Sequence, residues 1–177
     1  MALFSSHSMV TVNPNIEQQF LEAYNAYAEA IFKHCYYRLF NRDRAKELMQ
    51  ETFLRAWEQV TQGVPIRNLR ALLYKIALNL VIDETRKKKM TSLDSLQEQG
   101  FDPGHSPEGK LINKLDADHL KTLVAQLEPD YQTVIMMRYI DELAVTEIAE
   151  ILGITANVAS VRLHRGLAQL KKILTNV

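Results

Sequence analysis

Apolar side chains recur at steps of three and four residues through most of the chain, and no stretch of strand length alternates in and out. That period belongs to a helix with one buried face, so the sequence predicts an all-α protein. Ile16, Phe20, Tyr24, Tyr27, Ile31, Cys35 and Leu39 mark a first helix over residues 15–40, with Asn15 as its cap. A turn at 41–43 leads to a second helix carrying Ala45, Leu48, Met49, Thr52, Phe53, Ala56, Trp57 and Val60, which ends before Gly63 and Pro65. A third starts near Asn68, turns Leu69, Leu72, Leu73, Ile76, Ala77 and Leu80 inward, and runs into the basic block at 86–89. Three helices over 15–90 make a first domain, preceded by a tail at 1–14.

Ser, Gly, Asp and Pro break the period at 90–109, which reads as a flexible linker over 91–110. Helical spacing resumes at Leu111 and stops at Glu128. It restarts with Pro129 in the first-turn position that proline tolerates, and continues through Tyr131, Val134, Ile135 and Arg138. Residues 146–152, Gly153 and Thr155 then lead to a last helix over about 156–174, so that 111–177 form a second small domain. One cysteine, Cys35, allows no intrachain disulfide, and its place on an apolar face suggests simple burial. No apolar run approaches the length of a membrane span and residues 1–11 do not resemble a signal peptide, so the expected compartment is the cytosol, with no membrane insertion.

The net charge is zero, 21 basic against 21 acidic residues, but the charge is unevenly spread. Residues 17–89 hold 13 basic and 9 acidic side chains, and 90–109 hold 4 acidic and no basic ones. In 110–177 all eight acids precede Ile151, whereas Arg162, Arg165, Lys171 and Lys172 follow it. The last helix is therefore purely basic, and it follows the stretch EIAEILGIT at 147–155. This is the pattern of a helix-turn-helix: Ala149 lets two helices cross closely, Gly153 permits a left-handed turn, and Ile148, Leu152, Val158 and Val161 are placed to fill the space between them. Such a unit puts Thr155, Ala156, Asn157 and Ser160 nearest base edges and Arg162 and Arg165 near phosphates. An ordinary helical hairpin with a solvated basic face fits the same pattern. Four cations neutralise about four phosphates, and modules of this kind bind DNA non-specifically at about 10⁻⁴ to 10⁻⁶ M. A second anchor is needed, and Arg86, Lys87, Lys88 and Lys89 are placed to supply one; a solvated face, or a helix C-terminus complementing the dipole, fits the same run.

Four stretches carry a resemblance over nearly the whole chain: FLEAYNAYA at 20–28, AKELMQETFLRAW at 45–57, LRALLYKIALNLVID with ETRKKK from 69, and LEPDYQTVIMMRYIDELAVTEIAEILGIT with ANVASVRLHRGLAQL from 127. Together they resemble the extracytoplasmic-function group of the sigma-70 family, in which a region 2 domain and a region 4 domain are joined by a flexible linker. The resemblance implies that Glu47, Leu48, Gln50, Glu51 and Phe53 bind the clamp of the largest subunit of core RNA polymerase, while region 4 meets the flap of the second-largest. It implies that Arg70, Tyr74, Asn79, Asp83, Arg86 and Lys87 capture and melt the minus-ten element, amides and carboxylates taking base edges, aromatics stacking and cations holding phosphates. It assigns minus-35 DNA to Thr155, Asn157, Ser160, Arg162, His164 and Arg165. Leu69 and Leu72 stand where aromatics are usual, Val158 where threonine is frequent, Ser160 where a cation is frequent, and Ala144 where serine caps the helix. An anti-sigma factor is an expected partner, and no cofactor or metal is implied.

An enzyme is disfavoured, since the sequence shows no Ser/His/acid order, phosphate loop or metal spacing, and its five histidines are scattered. A free-standing helix-turn-helix repressor would bind a palindromic operator without polymerase. A mimic that only titrates an anti-sigma factor would have no use for Arg70, Asn79, Asp83 and the basic run at 86–89.

Overall fold

The structure, a computed structural model, describes residues 14–94 and 122–175. The described residues are helical with no strand: α1 (Pro14–Leu39), α2 (Arg42–Thr61), α3 (Leu69–Asp94), a helical turn at 122–125, α4 (Pro129–Tyr139), α5 (Val145–Leu152) and α6 (Ala156–Thr175). The tail at 1–13 and most of the expected linker lie outside the described residues. Two boundaries differ from expectation. Pro14 already sits in the first turn of α1, where its locked φ is helical, so Asn15 is inside the helix and accepts a hydrogen bond from Gln19 rather than capping it. Helix α3 runs on to Asp94, past the expected end of the domain at residue 90, because nothing from 90 to 94 is glycine or proline.

Helices α1, α2 and α3 pack on one another around Ile31, Cys35, Leu48, Met49, Leu73 and Ala77. The joint between α1 and α2 is tight. Phe40 takes a left-handed φ of 50°, and Asn41 then caps α2, its side-chain oxygen accepting the Arg44 N–H at 2.8 Å. At the far end of that pair Phe20 lies edge-on to Phe53 and against Trp57, with ring centres 6.1 and 4.9 Å apart. Thr52, fully buried, donates its hydroxyl to the Leu48 carbonyl at 2.7 Å, so its one donor costs the core nothing.

The second domain gathers Leu127, Val134, Met137, Leu143, Ile148, Ala159 and Leu163. Gly153 ends α5 at φ +65°, where a side chain would be strained, and the Ile154 N–H returns to the Ala149 carbonyl at 3.0 Å. Thr155 caps α6 as expected, accepting the Val158 N–H at 3.2 Å. The filling of the helix-turn-helix is a correction. Ile148 is buried, but Val158 and Val161 are exposed, and Ala159, Leu163 and Gly166 make the packed side of α6 instead. Small residues decide this: a Cβ at Gly166 would come within 3.1 Å of Ile135, so α4 and α6 approach along that line.

Candidate nucleic-acid and polymerase interface

Helix α2 presents Glu47, Gln50, Glu51 and Leu54 at helical steps along its outer side, and Leu54, an apolar side chain, stands 53% exposed. Glu47 pairs with Arg44, which also holds Glu84 of α3 at 2.8 Å, and Glu51 pairs with Arg55 at 2.7 Å. Leu48 and Phe53, expected at the same surface, are each 4% exposed in the domain core; the packing period of α2 turns them inward. On α3, Asn79, Asp83 and Arg86 project into solvent at i, i+4 and i+7, with Lys87 beside them. Tyr74, expected with that group, is 1% exposed and is a second correction. It lies a turn earlier on the packed side of α3, edge-on to His34 with ring centres 5.3 Å apart.

The second domain packs against α1 and α3 of the first. Asp141, in the turn between α4 and α5, enters α1 territory: its carboxylate accepts from His34 Nδ1 at 2.8 Å and from Arg38 Nη2 at 2.8 Å. Its side chain is 1% exposed and that of His34 0%. Burial is the largest influence on His34 and Arg38 adds to it, so its pKa drops from 6.5 to about 4 despite Asp141. The neutral ring therefore donates from Nδ1, and Nε2, which has no partner among the described residues, keeps its lone pair. For Asp141, burial would raise the pKa, but Arg38 and then His34 together hold it below the usual carboxylate value. A second row of contacts lies along α3 and α5. Arg70 pairs with Glu147, whose other oxygen accepts the Ala144 N–H at 2.8 Å and so supplies the cap that Ala144 lacks. Asn68 caps α3 with its side-chain oxygen, accepting the Ala71 N–H, and donates its amide to Glu150 at 3.1 Å.

At the other end of the second domain, α6 exposes Asn157, Ser160, His164 and Arg165, and Thr155 precedes them. Arg162 is half-buried and paired with Asp130 of α4 at 2.8 Å, so a phosphate would have to compete for it.

Two independent helical units of this kind match known families along the chain: residues 23–91 match Sigma-70 region 2, and residues 118–170 match Sigma-70, region 4. The extracytoplasmic-function sigma factor SigW of Bacillus subtilis is 32% identical over 171 residues, covering 91% of either chain. The chain belongs to the extracytoplasmic-function sigma factors. A related factor, SigL of Mycobacterium tuberculosis, is 28% identical over 152 residues, or 85% of this chain and 86% of that one. In fold, the sigma factor is similar to the solved complex of CnrH with the cytosolic domain of CnrY, at a TM-score of 0.69 and 19% identity, with 94% and 92% of the two chains covered. It is equally similar to RpoE of Bartonella quintana, solved with the anti-sigma factor NepR, at a TM-score of 0.69 and 20% identity over 89% and 98%. As a sigma factor, the protein directs RNA polymerase to promoters. No helix among the described residues is long and apolar enough to cross a membrane.

Sequence reasoning missed the contacts between the domains. Asp141, Glu147 and Glu150 carry no pattern that names a partner, and His34 lies 107 residues from Asp141 in the chain. Leu54 was legible in principle: it is a large apolar residue off the buried period of α2.

Proposed function

We propose that this sigma factor binds the clamp of the polymerase largest subunit through the α2 face of Glu47, Gln50, Glu51 and Leu54, with region 4 against the flap of the second-largest. Helix α6 reads the minus-35 duplex and α3 opens the minus-ten element. The observation that carries the reading is the solvent-facing row of Asn79, Asp83, Arg86 and Lys87, polar groups along α3 with a basic end. Arg70, paired with Glu147, and Tyr74, buried on the packed side of α3, stand away from that row. A cleft of about 690 Å³ beside the contact, floored by Leu39, Phe40, Val81 and Met136 and edged by Arg86 and Lys89, offers an anti-sigma segment a seat that spans both domains. The protein works in the cytoplasm, without catalysis of its own.

The double variant Asn79→Ala, Arg86→Ala tests the minus-ten assignment. Both side chains are exposed, so fold and core binding should stay, while promoter opening read by permanganate reactivity of unpaired thymines falls at least tenfold, two lost contacts at roughly 1 kcal/mol each. Full reactivity in the double variant removes α3 from the role.

A further inference from the structure

Helix α6 carries two valines on its solvent side. Val158 and Val161 are 40% and 39% exposed, and neither joins the apolar core. With the packed side of α6 set by Ala159, Leu163 and Gly166, a turn of roughly 100° per residue puts Val161 almost opposite, at the centre of the outer face. Asn157 and Val158 adjoin it one turn earlier, and His164 and Arg165 one turn later. Residues 156–161 contain no charged side chain, and of the cations that follow, Arg162 is engaged by Asp130. The part of a recognition helix that enters the major groove most deeply therefore offers methyl groups, one amide and one hydroxyl, while His164 and Arg165 are placed for the groove wall.

Methyl groups seek hydrocarbon, and the edge of the major groove has one conspicuous hydrocarbon group, the 5-methyl of thymine. Burial of an apolar surface that the free protein leaves in water is favourable, whereas a cation in its place would have sought a guanine or a phosphate. We propose that Val161, with Val158 beside it, reads the 5-methyl group of a thymine in the minus-35 element, so that this sigma factor selects an A·T pair there by hydrocarbon contact instead of by charge. The proposal rests on α6 being the minus-35 reader and names the group it reads.

The test uses the full chain bound to core polymerase. A promoter library randomised over the minus-35 segment is transcribed and the enriched element identified. Each thymine of that element, on either strand, is then replaced by uracil, which removes the methyl and nothing else. With the native chain, one such replacement should lower initiation roughly fourfold, the worth of one buried methyl group. With Val161→Ala the same replacement should become neutral, and Val161→Thr, which keeps one methyl and the shape, should fall between. Both variants alter an exposed position and should fold as the parent does. Neutral uracil at every position with the native chain, or undiminished sensitivity in Val161→Ala, overturns the proposal. Absence of any initiation from the library is the distinct failure of the minus-35 reading itself, and takes this proposal with it.

Discussion

Asp141→Ala is expected to release region 4 from region 2 while leaving each domain folded. The carboxylate accepts from His34 Nδ1 and from the Arg38 fork, His34 fully buried and Arg38 largely so. Removing one member of a buried pair costs about 3–5 kcal/mol, because the remaining charge and donor are stranded. The other polar cross-domain contacts, Arg70 with Glu147 and Asn68 with Glu150, are partly solvated and worth up to about 1 kcal/mol each. Spin or fluorescence labels at Glu58→Cys and Lys171→Cys report the change as a longer and broader distance; Cys35 does not interfere, since burial pushes its thiol up to about 12. Acid should act on the native chain in the same direction. His34 binds its proton less readily in the packed form, about 4 against 6.5, so the packed form loses stability as pH falls from 6.5 toward 4, by about 3 kcal/mol at most. The lowered pKa of Asp141 extends the loss below its ordinary value. A distance unchanged both in Asp141→Ala and at pH 4.5 would show that the ion cluster does not hold the domains together.

Loss of the α2 face should have the largest effect on assembly. Gln50→Ala with Leu54→Ala is expected to weaken binding to core polymerase more than a hundredfold, as two contacts of about 1.5–2 kcal/mol each at the centre of an interface would. These two are the informative choice. Glu47 and Glu51 are tied to Arg44 and Arg55 within the domain, and Leu48 and Phe53 build its core, so substitutions there mix assembly with stability. Gln50 and Leu54 face solvent, and thermal unfolding of the double variant should stay within about 1 kcal/mol of the parent. Unaltered affinity for core, measured by competition for a fixed amount of polymerase, would move the polymerase contact away from α2.

The sequence was a good guide to helices and a partial one to surfaces, for a physical reason. A period of three and four identifies the apolar side of a helix, and α2 follows it closely. In α6 two such series interleave, Val158 with Val161 and Ala159 with Leu163, and periodicity cannot choose between them. The choice is made by Ala159 and Gly166, small enough for α4 to approach, which turns the valines outward. In the same way, Leu48 and Phe53 satisfy both a family's contact pattern and the packing pattern of α2, and packing takes them. The cluster of His34, Arg38 and Asp141 was illegible because it joins elements far apart in the chain through charges, each of which alone looks like a solvated side chain. Asn15 shows a smaller case: a good capping residue is overridden when proline one position earlier already starts the helix.

As a sigma factor, the chain turns core polymerase into a promoter-specific enzyme. Run-off transcription from a library of promoters, with core polymerase alone and with the purified chain added, measures this directly. Discrete transcripts that appear only with the chain, and whose templates share a minus-ten and a minus-35 element, are the expected result. Transcription by core unchanged by the chain, together with tight binding of the free chain to a palindromic operator, would contradict it.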